Sequence, residues 1–190
     1  MKFICFDLES GGPSIEYSVL SASFSVIEHN IEDLSFKLID ELDFMIKHDV
    51  YKVHPGGMAV NKLDLNEVDA KGVSLSQAGS LLITFIKKHG SKSGDLLIPL
   101  GHGIKGDIDQ IHHQKILSPN NWSNYVSHKT LDTGGLALAY QTMGLLPVDL
   151  SLKLSELCSF FKLSGYEFHT ARGDKLATID LAYSLLKLKK

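Results

Sequence analysis

The chain has 190 residues, 44% hydrophobic and 22% charged, with a formal net charge of -3. That is enough apolar material for an ordinary core, so no disulfide framework or structural metal is required. The weak negative charge argues against a protein that coats long nucleic acids, which needs many Lys and Arg contacts to phosphates, but not against an enzyme gripping a few terminal nucleotides. Length predicts one domain over residues 1–190. The cysteines lie in Phe3-Ile4-Cys5-Phe6 and Leu157-Cys158-Ser159-Phe160 and read as buried, reduced thiols. The first apolar run ends at Asp7, so no cleavable signal peptide is expected. No apolar run approaches the roughly 20 residues that span a bilayer. A cytoplasmic protein without membrane contact is expected.

Lys2-Phe3-Ile4-Cys5-Phe6 is continuously apolar after its lysine, the pattern of an inner strand covered on both faces. Tyr17 to Ile27 and Ser35 to Ile39 read as a second and third strand in an antiparallel meander. His54-Pro55-Gly56-Gly57 reads as a loop and Leu65 to Lys71 as a short helix. Ser74 caps a helix through Lys88, with Leu75, Ala78, Leu82, Phe85 and Ile86 at helical spacing. Leu96 to Leu100 is a fourth strand, Asp107 begins another helix, and Lys129 to Leu131 is a fifth strand. Helices follow near Gly134–Met143 and Ser151–Leu163, and a last one from Ala171 to the C-terminus. The layout is α/β, a five-stranded mixed sheet with its first three strands antiparallel, flanked by helices.

Three segments carry chemistry. In Phe6-Asp7-Leu8-Glu9-Ser10-Gly11-Gly12, side chains two apart on a strand share a face. Asp7 and Glu9 therefore project together where an apolar strand ends, and they repel unless a cation lies between them. In His169-Thr170-Ala171-Arg172-Gly173-Asp174, Thr170 as N-cap puts His169 at N′ and Asp174 at N4. Those positions normally touch through apolar side chains. Asp174 also heads the stripe Ala177, Thr178, Leu181, Leu185 and Leu188 that the helix should bury, so its carboxylate needs a cation or good hydrogen bonds. In Gly101-His102-Gly103-Ile104-Lys105-Gly106-Asp107-Ile108 a strand meets a glycine-rich turn and Asp107 enters a helix, with Asp109 as its competitor. His112 and His113 diverge on a helix and cannot share a metal. His29, His48, His54, His89 and His128 read as surface or loop residues, and Lys105 and Arg172 as solvated.

In this order the segments resemble the DEDDh 3′→5′ exonucleases, the group of RNase T, oligoribonuclease and polymerase proofreading subunits. Asp7 and Glu9 match that family's Asp-x-Glu. Asp107 matches its middle motif, and His169, Ala171 and Asp174 its His-x-Ala-x-x-Asp, the histidine branch. Leu131-Asp132-Thr133 and Ser151 to Cys158 look like its connecting segments, so the likeness spans nearly the whole chain. Gly103 stands where Asn is usual and Gly106 where an aromatic is common, which bears on packing beside a terminal nucleotide.

The resemblance implies a ribonuclease H-like fold and hydrolysis of single-stranded nucleic acid from its 3′ end. It implies Asp7, Glu9, Asp107 and Asp174 as ligands of two Mg²⁺ ions, with Mn²⁺ able to substitute, and His169 as general base. Leu8, Ser10 and His102 are the expected contacts to the 3′ end. A homodimer is compatible with the family. DNA is favoured over RNA, and the rival readings are a silent adaptor on the same fold and a phosphoesterase acting on small molecules.

Overall fold

The opening apolar run becomes β1 (Lys2–Ser10), whose Ile4, Cys5 and Phe6 are fully shielded from solvent. In the computed structural model, which describes residues 1–92 and 94–188, β2 (Val19–His29) and β3 (Phe36–Lys47) complete an antiparallel meander. Helices α1 (Pro55–Asn61) and α2 (Leu65–Lys71) lead to β4 (Val73–Ser74) and α3 (Leu75–His89). Then come β5 (Ile98–Gly101), α4 (Ile104–His113), α5 (Pro119–Ser123) and β6 (Leu131–Asp132). The chain closes with α6 (Thr133–Thr142), α7 (Leu154–Phe160) and α8 (Ala171–Leu186).

Among the described residues six strands form one sheet in the order β4-β3-β2-β1-β5-β6. β5 runs parallel to β1, β6 to β5 and β4 to β3. One sheet face presents Ile4, Phe6, Ala22, Phe24 and Val26 to Leu82 and Ile86 of α3 and to Trp122 of α5. The other presents Phe3, Cys5, Ile27 and Leu100 to Ala182 of α8. A third apolar cluster joins α6, α7 and α8 through Ala137, Leu157 and Leu181. No helix among the described residues is long and apolar enough to cross a membrane. Both cysteines are free and buried.

The differences from expectation have physical causes. The sixth strand is the two-residue β4, too short to leave a pattern. β3 runs eight residues beyond Ile39, through Asp40, Glu41 and Asp43. These acids interrupt the apolar alternation, yet each has a cation supplied from far along the chain: Lys88 and His89 for Asp40, Arg172 and Lys175 for Glu41 and Asp43. His54-Pro55-Gly56-Gly57 is a helix start rather than a loop. Pro55 takes the first turn, the His54 ring accepts the Gly56 amide at 3.1 Å, and a Cβ on Gly57 would lie 2.7 Å from Gly12 Cα. α4 begins at Ile104, not Asp107. Gly103 holds its N-cap at φ 75°, where a side chain is strained, and Asp132 supplies the missing cap by accepting the Ile104 amide at 2.9 Å.

Two histidines are not on the surface. His29 is buried at the end of β2 between the Phe3 and Phe36 rings, and the His89 side chain is shielded against Asp40.

Candidate active site

β1 stays in register with β2 up to Glu9, and a bulge falls between Glu9 and Ser10. Bulges turn a strand and re-aim its side chains, here just past the second carboxylate. Asp7 and Glu9 share the face covered by α8, as their spacing requires. Thr170 caps α8 by accepting the Gly173 amide at 3.0 Å, which places Asp174 one turn into the helix and over β1. Carboxylate oxygens of Asp7, Glu9 and Asp174 lie within 4.8 Å of one another.

Asp107 is outside that trio but adjoins it. It sits at N4 of α4, as Asp174 does on α8, and lines a cleft with Asp7. The Leu8 amide, left without a β5 partner where that short strand stops, helps hold its carboxylate. The competitor Asp109 is instead paired with Lys105.

Four acids packed together resist ionisation. Burial, and then the charges of Asp107, Glu9 and Asp174, push the Asp7 carboxyl well above the ordinary range. Burial and Asp174 raise Glu9 to about 7. Burial, helped by Glu9 and Asp132, raises Asp107 to about 8 against the opposing Leu8 hydrogen bond. Asp174 is also raised by burial, opposed by the His169 amide, which donates to its Oδ2 at 3.3 Å. The other oxygen, Oδ1, is buried without a hydrogen-bond partner. An oxygen-only set with an orphaned buried carboxylate oxygen fits a hard divalent cation.

His169 is exposed and held at φ 66°, uncommon for a residue with a side chain. Among the described residues its ring makes no hydrogen bond.

Two clefts flank Leu8 and Ser10. One, of about 410 Å³, runs between Glu9 and α1 and is lined also by His54, Gly57, Val60 and Asn61. The other, of about 320 Å³, lies toward α4 and includes Asp7, His102, Gly103, Gly106 and Asp107. A Cβ at Gly103 or Gly106 would meet nothing within 4 Å, so these glycines leave the second cleft open. His102 is half-buried, with Nδ1 2.8 Å from Thr133 Oγ1, and burial lowers its pKa.

Sequence reasoning missed the α1 wall and Asp132. Asn61 fastens α1 to the bulge, donating from Nδ2 to the Ser10 carbonyl at 2.9 Å. Asp132 caps α6 through the Gly135 amide at 2.9 Å while also accepting from Ile104. A helix cap could be read from Asp132-Thr133; its second bond, 28 residues away in sequence, could not. Arg172 is ion-paired with Asp43 at 2.9 Å instead of being merely solvated.

No protein-family model matches the chain, and no curated protein sequence matches it. Solved structures do. Exonuclease I of E. coli in complex with a dT13 oligonucleotide superposes with a TM-score of 0.75 and 19% identity, over 98% of this chain and 41% of that one. The zinc-bound form of E. coli ExoI with single-stranded DNA gives 0.78 and 19%, over 100% and 41%. A product-bound exonuclease I gives 0.72 and 20%, over 98% and 43%. The chain thus spans about two fifths of the length of these structures. At this identity the likeness establishes the fold, in keeping with the expected ribonuclease H-like mixed sheet.

Proposed function

We propose that the chain is a DEDDh-type 3′→5′ exonuclease that releases nucleoside 5′-monophosphates from single-stranded nucleic acid, DNA by preference. The observation that carries this is the meeting of Asp7, Glu9 and Asp174 within 4.8 Å, beside Asp107, at the mouth of two clefts. Supporting it, the fold is shared with Exonuclease I structures that hold dT13 and single-stranded DNA.

Asp7, Glu9, Asp107 and Asp174 would hold two Mg²⁺ ions, with Mn²⁺ as substitute. Bound there, the ions supply neutralisation of phosphoryl oxygens, activation of water and stabilisation of the leaving 3′-oxygen. The residues do the rest. The His169 ring, exposed and close enough to act electrostatically on Asp174, accepts the proton of the attacking water. Leu8, only 8% exposed and packed in the core, lines both clefts and gives the terminal base an apolar floor, and such stacking tolerates any sequence. Ser10 and His102 line the two sides of that position, Ser10 held by donating to the Gly12 carbonyl at 2.7 Å. His54, Val60 and Asn61 close the α1 side, a barrier that favours a frayed end over an internal duplex bond.

The test is a 5′-labelled DNA oligonucleotide and its RNA counterpart, each with Mg²⁺ or Mn²⁺. A one-nucleotide ladder, faster on DNA, is expected. Release of inorganic phosphate from mononucleotides in place of a ladder would establish the phosphoesterase rival. Binding of the oligonucleotide without cleavage would establish the adaptor.

A further inference from the structure

Lys175 immediately follows Asp174 and is fully buried, at 0% exposure, on the sheet-facing side of α8 that also carries Thr178 and Ala182. Its ammonium meets Glu41 Oε1 at 2.9 Å and Asp43 Oδ1 at 3.7 Å on β3. One turn earlier, Arg172 reaches the same two acids from the solvent side, at 2.9 Å to Asp43 and 3.7 Å to Glu41. Between these acids and β1 lie two serines of β2. Ser25 donates to Glu41 at 3.3 Å and Ser23 donates to Asp43. The strands are in register, so Asp7, Ser23 and Asp43 form one row across the sheet and Cys5, Ser25 and Glu41 the next. The Cys5 thiol in turn donates to the Lys175 carbonyl at 3.7 Å.

The sheet face under the first turns of α8 is therefore polar, so the apolar packing of Leu181 and Ala182 farther along the helix does not by itself set how those turns sit. A buried charge that finds its partners in one placement only can set it, because any slip or rotation leaves that charge unpaired in the interior. We propose that Lys175 is a positioning residue: its ion pair with Glu41 and Asp43 fixes the rotation and height of α8 and so holds Asp174 over Asp7 and Glu9. This rests on reading those three acids as metal ligands. It assigns Lys175 no contact with substrate. The two residues flanking Asp174 in the ion network, Arg172 and Lys175, face β3 while Asp174 faces β1.

The experiment compares the parent, Lys175→Met, the double variant Lys175→Met/Glu41→Leu, and Asp7→Asn. Each is titrated with Mn²⁺ by calorimetry well below its melting temperature and assayed for kcat and KM on a single-stranded oligonucleotide. Lys175→Met alone leaves Glu41 without its main partner and melts lower. The double variant removes the charge together with its main partner and keeps the helix packed, which restores the melting temperature in metal-free buffer. Despite that restored stability, Mn²⁺ affinity and kcat are expected to fall about 10–100-fold, as when groups that orient metal ligands are removed, with KM nearly unchanged. A double variant as stable as the parent that keeps parental Mn²⁺ affinity and kcat overturns the proposal. Asp7→Asn reports on the metal site itself, so a failure of the metal reading shows as parent and Asp7→Asn titrating alike, separately from the Lys175 result.

Discussion

The sheet face beneath α8 carries two groups of acids that share a row, Asp7 on β1 and Asp43 on β3 with Ser23 between them. They differ in what answers their charge. Glu41 and Asp43 have Lys175 and Arg172, and Asp40, next along β3 but on the opposite face of the sheet, has Lys88 and His89 of α3. Asp7, Glu9, Asp107 and Asp174 have no cationic side chain paired with them among the described residues. The Lys88 and His89 hydrogen bonds hold Asp40 down at about 2, and the Lys175 bond lowers Glu41. The unpaired group moves the other way, with Glu9 at about 7 and Asp107 at about 8. Acids on and beside one sheet thus separate by whether the chain supplies their counter-charge, which moves their pKa values in opposite directions.

The largest effect expected from breaking this contrast is at Asp7. Asp7→Asn removes a charge from the centre of the unpaired group. Nuclease activity should fall by at least about 10³-fold, since preorganised charge at the reacting phosphate supplies much of such catalysis. Calorimetry should show Mn²⁺ binding lost. The same variant should melt higher than the parent in metal-free buffer, because it relieves repulsion among buried carboxylates. Full activity in Asp7→Asn would remove the metal assignment.

His169→Ala comes next. A general base typically contributes about 10²–10⁴-fold, so kcat should drop by that order. The hydrogen bond from His169 to Asp174 is made by the backbone amide, which alanine keeps, so Mn²⁺ affinity should stay close to that of the parent. A loss of both together would make His169 part of the metal-holding structure instead of the base.

Much of this arrangement is legible in the sequence alone, and the boundary of legibility follows the same contrast. Asp7 and Glu9 announce a shared face through a spacing of two, and Thr170 announces Asp174 through local helix-cap geometry. Such rules act over a few residues. The counter-charges of β3 come from 129 and 134 residues away in the case of Asp43–Arg172 and Glu41–Lys175, so the acids looked like the end of a strand. α1 was hidden for a similar reason. A proline and two glycines read as a loop until their packing against Gly11 and Gly12, and Asn61 tied to Ser10, make a helix there the wall of a cleft.

A third effect is on stability. Glu9 and Asp107 have folded-state values raised above their ordinary ones, so the folded chain holds protons that the unfolded chain has released. Their contribution is complete below about pH 4 and is lost as pH rises through 7 and 8. Asp40 is depressed, so its contribution is present above about pH 4 and lost as pH falls towards 2. In metal-free buffer the melting temperature should decline between pH 5 and 8 by several degrees, given roughly 2–4 °C per kcal/mol at this chain length. Saturating Mn²⁺ should flatten the decline, and so should Asp107→Asn in part. A melting temperature that rises over this interval without metal would contradict the assignment of the unpaired group.

The smallest effect sharpens the comparison from within the paired group. Arg172 and Lys175 serve the same acids, but the Arg172 side chain is 61% exposed while that of Lys175 is wholly enclosed. An exposed ion pair contributes about 0–1 kcal/mol, because water solvates both partners when it breaks and salt screens it. Arg172→Ala should therefore lower the melting temperature by no more than about 4 °C, and added salt should shrink the difference. Lys175 still holds Glu41 and Asp43 in that variant, so Asp174 keeps its place and kcat should stay within about twofold of the parent, less than half a kcal/mol in barrier. If Arg172→Ala instead matched Lys175→Met in lost Mn²⁺ affinity, burial would not be what separates the two cations, and α8 would depend on total charge against β3.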